Sequence, residues 1–185
     1  MITMPVNVVK CLSFSPDGRY LAVVGKDSHN RELIAVWDIS KALKGEKPEL
    51  FAKQTSDFNI LALKFSPIDN LRLVSCGKEN IRFWRMRPEG GTIRGSPVVL
   101  NHYARNTVFT AFDFEWGARA SPSASVNPDC KENESLKRLY VASKTGVVFQ
   151  INYHSEQLEA TYKTNDSAIY SIAVNEAFCV TGSED

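Results

Sequence analysis

What this chain has little of narrows it first. Histidine occurs three times, at His29, His102 and His154, each in a loop or strand-edge context with no serine or cysteine nucleophile motif beside it. The glycine-containing stretches "GGTIRG" and "GVVFQ" lack the spacing of a phosphate-binding loop or a dinucleotide fingerprint. No acid/base pair stands out, so the chain reads as non-enzymatic, with no cofactor and no bound metal. Net charge is only +1, which removes any global electrostatic case for nucleic acid or an anionic membrane. The opening "MITMPVNVVK" has no basic region followed by an apolar run and does not read as a secretory leader. No segment approaches the ~20 apolar residues of a membrane-spanning helix. Cys11, Cys76, Cys130 and Cys179 show no paired short spacing, and three of them stand in apolar strand-like runs. The expectation is a reduced, intracellular chain in which Cys11, Cys76 and Cys179 are small core residues rather than metal ligands. "NES" at Asn133 and "NDS" at Asn165 then read as chance matches to a glycosylation pattern.

What is there is a repeat. "VVKCLSFSPDGRYLAVVG" (8–25) aligns with "ILALKFSPIDNLRLVSCG" (60–77), sharing "FSP", then a turn signal, then a second apolar run. Each continues to a third run with an aromatic near its end, Trp37 in one and Trp84 in the other. Two fainter copies follow, "FTAFDFEW" and "IYSIAVNEAFCVTGSED". Across the four, Val9/Leu12/Phe14, Ile60/Leu63/Phe65, Phe109/Phe112/Phe114 and Ile169/Ile172/Val174 occupy matching positions, and all twelve are apolar. Runs of Val, Ile, Leu and Phe separated by Gly, Asp and Asn predict antiparallel meanders of three strands per unit. No stretch keeps a helical period, so the fold class is all-β.

Three insertions lengthen the units. "DSHNREL" extends the first hairpin, "SKALKGEKPELFAKQTSD" reads as a linker, and residues 117–137 read as a mobile insertion able to serve as a docking or modification site. Asp17 in "SPDG" is expected to organise its turn through its own side chain. Trp84 is expected to pack against Leu63, Phe65 and Val74. The closing Phe178, Cys179 and Val180 read as a buried strand entering a turn.

"FSPDGRYLAVVG…VWDIS" and "CVTGSED" resemble the WD-repeat family of β-propellers. The resemblance implies about three and a half blades at roughly 6–53, 54–104, 105–164 and a truncated 165–185. Propellers close with usually 4–8 blades, so the expectation is a fragment of something longer. The marker residues 14, 65, 114 and 174 are 51, 49 and 60 residues apart, against ~40–45 in an ordinary repeat, and the insertions absorb the excess. The family's histidine before the first strand is missing: Pro5, Ser56, Arg105 and Asn165 stand there. Its hairpin aspartate survives at Asp185 and in the region of Asp27. The family's buried Asp–His–Ser–Trp network is therefore expected to be mostly absent, Trp37 and Trp84 keeping only the aromatic position.

Within the family, "VSCG…IRFWR", "GSPVVL" and "LYVASKTGVVFQIN" are similar to a propeller of large centriolar and ciliary microtubule proteins. That similarity implies a structural scaffold supporting centriole integrity and cilium assembly, in the cytoplasm and cytoskeleton, at a centriole, basal body or axoneme. The implied partners are proteins, tubulin of the microtubule wall and inner-scaffold proteins among them, with no nucleic acid and no membrane. The alternative is a generic adaptor binding a peptide or protein at the propeller rim, with Tyr103, Trp116 and the arginines near Arg85 available. Residues 78–105 hold six bases against two acids. From these, Arg85, Arg87, Arg94 and Arg105 read either as a solvated face or as a patch for acidic partners, with Arg85, Arg87 and Arg94 expected at or beyond a strand end.

Overall fold

Short turns between β-branched runs fold the chain into consecutive meanders. In a computed structural model, residues 5–116, 136–175 and 177–184 are described. All but the end of the 117–137 insertion lies outside them, as do Cys130, Asn133, Asp185 and the side chain of Trp116. The first sheet runs β1 (Val8–Phe14), β2 (Tyr20–Lys26), β3 (Glu32–Asp38), β4 (Glu49–Thr55), each strand antiparallel to the next. The second repeats that order with β5 (Ile60–Phe65), β6 (Arg72–Gly77), β7 (Asn80–Arg87) and β8 (Thr92–Pro97). The third is built from β9 (Phe109–Trp116), β10 (Leu136–Ser143), β11 (Val147–Asn152) and β12 (Leu158–Lys163), and a hairpin of β13 (Ile169–Val174) and β14 (Cys179–Ser183) follows. Among the described residues the only helical elements are short 3-10 turns at Ala42–Lys44 and Asn101–Ala104.

Each full sheet has four strands rather than the expected three. The stretch read as a linker contains β4, and the boundary drawn at 53/54 cuts through it. The reason is that β4 buries only Ala52 and half-buries Phe51, so its sequence carries almost no apolar alternation.

Local chemistry sets the turns. Ser15 Oγ donates to Asp17 Oδ1 (2.6 Å), and the Arg19 amide donates to the same oxygen (3.0 Å), as expected for Asp17. Asp27 accepts from the His29 and Arg31 amides (both 2.9 Å) and from Arg31 Nε, so it organises its own hairpin. Gly25 and Gly77 stand at equivalent places because a Cβ there would overlap the carbonyls of Val8 and Asn59.

The chain divides into two compact units, Met1–Thr110 and Ala111–Asp185. In the first, Tyr20, Ala22, Val24, Ile34 and Val36 share one core with Ile60, Leu63, Phe65, Leu73, Trp84 and Met86. Polar ties reinforce this blade-to-blade contact: the Phe65 amide donates to Ser13 Oγ (2.9 Å), and Lys10 Nζ donates to Glu32, Asn59 and the Ile60 carbonyl. Trp84 packs with Leu73 and not Val74, because it pairs directly with Leu73 while Val74 pairs with Phe83 on the other face. Its Nε1 donates to the buried Ser75 Oγ at 2.8 Å, so this leg of the family's buried network survives, contrary to expectation. In the second unit Ala142, Val148 and Ile169 form one core cluster, with Tyr140 and Ile172 packed against it, and Phe112, Leu139, Val141, Phe149 and Ile151 are buried as well.

Apolar character and burial part company in two places, and at the second the expected buried strand is not buried. Val9, Leu12 and Phe14 are 46%, 55% and 61% exposed, whereas Ile60, Leu63 and Phe65 are buried. Phe178 and Val180 are 70% and 64% exposed, and Cys179 is exposed with them. These strands have core-type composition, but among the described residues too little packs on those faces to cover them. Cys76 is buried and Cys11 half-buried in the shared core, as small core residues should be. Burial pushes the Cys11 thiol up to about 11 and the Cys76 thiol well above the ordinary range.

Candidate protein-interaction surface

The basic stretch falls on the second sheet, where register decides which arginines meet. The turn at Lys78–Glu79, with Glu79 at φ 58°, pairs Gly77 with Asn80 and therefore Arg72 with Arg85. The turn Pro88–Gly91 pairs Arg87 with Thr92 and therefore Arg85 with Arg94. Arg72, Arg85 and Arg94 thus form a cross-strand row over β6, β7 and β8, and Arg87 lies two residues along on the same face. Arg85, Arg87 and Arg94 are exposed, while Arg72 is half-buried with its guanidinium carbon 5.0 Å from the Phe83 ring centre.

Arg85 and Arg94 lie inside strands, not at or beyond a strand end; only Arg87 is terminal. Arg105 is exposed but sits in the connection after the 3-10 turn at Asn101–Ala104, off this sheet. Arg72 was missed by reading the basic run alone. The two-residue turn at Lys78–Glu79 was the signal, because it fixes the register that carries Arg72 beside Arg85. Like charges placed directly opposite one another destabilise a sheet, by a few tenths of a kcal/mol to about 1 kcal/mol per pair. A row of three basic side chains on one face offers complementary charge to an anionic surface.

Arg82, the remaining arginine of the stretch, points to the other face. Its Nη1 and Nη2 reach Asp57 Oδ1 and Oδ2 at 2.7 and 3.3 Å. Those hydrogen bonds hold the Asp57 carboxyl below the usual carboxylate range. His29 and His154 lie in turns and His102 in a 3-10 turn, and among the described residues no three His, Cys, Asp or Glu side chains gather as metal ligands would. No helix of the described residues is long and apolar enough to cross a membrane.

Comparison with known proteins agrees with the repeat. A family model for the WD domain, G-beta repeat, matches residues 4–31. WD repeat-containing protein 90 of Xenopus tropicalis is 35% identical over 204 residues, covering 100% of this chain and 10% of that protein. Centriole proteome protein 16 of Chlamydomonas reinhardtii is 30% identical over 186 residues, covering 96% of this chain and 9% of that protein. The chain therefore spans about a tenth of the length of these relatives. Among solved structures, the β-propeller domain of Cps50 (Swd1) of Myceliophteria thermophila superposes with a TM-score of 0.66 at 12% identity, over 96% of this chain and 49% of that one. With four antiparallel sheets in sequence order, a matching repeat model and relatives aligned over nearly its full length, the chain belongs to the WD-repeat family of β-propellers.

Proposed function

We infer that this chain is a non-enzymatic, protein-binding part of a scaffold at centriolar or ciliary microtubules, and that its second blade contacts an acidic partner there. The observation that carries the reading is the arginine row on β6, β7 and β8. An acidic protein wall, such as the surface and tails of tubulin, supplies the complementary charge. Each exposed arginine adds little alone, so the contact depends on several acting together. The name of the algal relative supports the centriolar setting, and the WD-repeat fold supports a protein-interaction role.

Reversing Arg85, Arg87 and Arg94 to Glu in the full-length protein should weaken its retention at centrioles and make the residual binding less sensitive to salt. The three side chains are exposed, so far-UV circular dichroism should show an unchanged fold. Unchanged localisation of a correctly folded triple variant would mean that this face is simply solvated.

A further inference from the structure

A groove of about 490 Å³ opens on the first unit where the β2–β3 turn, the β4–β5 connection and β7 converge, lined by Arg31, Glu32, Gln54, Ser56, Asp57 and Arg82 among others. Its charged groups are not equivalent. Glu32, whose side chain is only 7% exposed, is engaged by Lys10 and by the Ile60 amide (3.0 Å) and serves the join between the two sheets. Arg31 is tied to Asp27 within its own turn.

Arg82 is different. Its side chain is 14% exposed, and its guanidinium carbon stands 5.1 Å from the Phe58 ring centre and 5.4 Å from that of Trp84. A Cβ on Gly95 would come within 2.6 Å of Arg82 Cδ and of two Trp84 ring carbons, so the stem is seated against bare backbone. The fork is therefore held in one orientation, and its Nε has no acceptor. The carboxylate it does hold, Asp57, belongs to a connection and is 74% exposed. A pair with one partner so open to solvent is held only weakly. A rigid guanidinium fork matches a carboxylate in two-point geometry, and an ordered fork loses little freedom when a second carboxylate arrives.

We propose that Arg82 anchors a site for a glutamate-rich peptide segment, one of whose carboxylates replaces Asp57 on the fork. Asp57 occupies the ligand's place in the free protein and competes with it. The inference rests on the protein-binding reading above but uses the opposite face of the second sheet from the arginine row.

The probe is a fluorescein-labelled hexaglutamate peptide, its binding to the full-length protein followed by anisotropy at physiological ionic strength. Asp57→Asn should tighten binding several-fold, because it removes the internal competitor while keeping the side chain's shape. Arg82→Lys, which keeps the charge but not the fork, should weaken binding at least tenfold in both backgrounds. Both effects should persist in the Arg85/Arg87/Arg94→Glu background, where the row on the opposite face of the sheet no longer attracts the peptide. Asp57→Asn lies on an exposed side chain and decides the matter even where Arg82→Lys folds poorly. Equal or weaker binding by Asp57→Asn, wild-type binding by folded Arg82→Lys, or loss confined to the triple variant would each overturn the proposal. Lost centriole retention in the triple variant, with the Asp57→Asn and Arg82→Lys effects on peptide binding intact, separates the two surfaces.

Discussion

Replacing Trp84 tests the register on which the second blade depends. The side chain is 1% exposed and packs among Leu63, Phe65, Leu73 and Met86. A tryptophan buries roughly 200 Å², which at about 25 cal/mol per Å² is worth about 5 kcal/mol, part of which alanine retains. Trp84→Ala should therefore lower stability by about 3–5 kcal/mol. The Trp84–Ser75 hydrogen bond can be separated from packing. Ser75→Ala leaves a buried indole N–H without an acceptor, and Trp84→Phe leaves a buried hydroxyl without its donor, each costing about 1–3 kcal/mol, with lost volume added for the second. The double variant removes both orphans, so it should cost less than the sum of the singles. Urea unfolding of the full-length protein, followed by far-UV circular dichroism, measures all four. A loss below about 1 kcal/mol for Trp84→Ala, or strict additivity in the cycle, would refute the placement of this ring.

Gly95→Ala should destabilise by about 1–3 kcal/mol, read from the same unfolding curves, because the new methyl overlaps both the Arg82 stem and the Trp84 ring. A neutral or stabilising result would mean that this face is loosely packed. Thiol alkylation read by mass spectrometry should modify exposed Cys179 before half-buried Cys11 and leave buried Cys76 unmodified until the protein unfolds. Acid should loosen the Arg82–Asp57 pair: the Asp57 pKa is depressed in the folded state, so its small contribution is present above the ordinary carboxylate range and lost as pH falls through the folded value. Proton titration of Asp57 by NMR, compared between wild type and Arg82→Lys, should show a smaller depression in the variant, which keeps the charge but loses the two-point hydrogen bonding.

The sequence by itself determined the meander. "FSP" followed by a turn signal, with paired apolar runs on either side, specifies strand, turn and strand through local propensity and side-chain period alone. It also placed Asp17 in its turn and Cys76 in a core. It did not reveal β4, because an outer strand that buries one residue carries no apolar period to read. Nor did it show that Val9, Leu12 and Phe14 are exposed while their equivalents in the second blade are buried. Composition says that a face is suited to a core, but only neighbouring elements decide whether something covers it. The arginines show the same division. Their number was visible in the chain, yet strand pairing alone set Arg72, Arg85 and Arg94 in one row and turned Arg82 away to lie between Phe58 and Trp84. Charge belongs to residues, whereas a binding surface depends on register, which turn geometry and strand pairing set together.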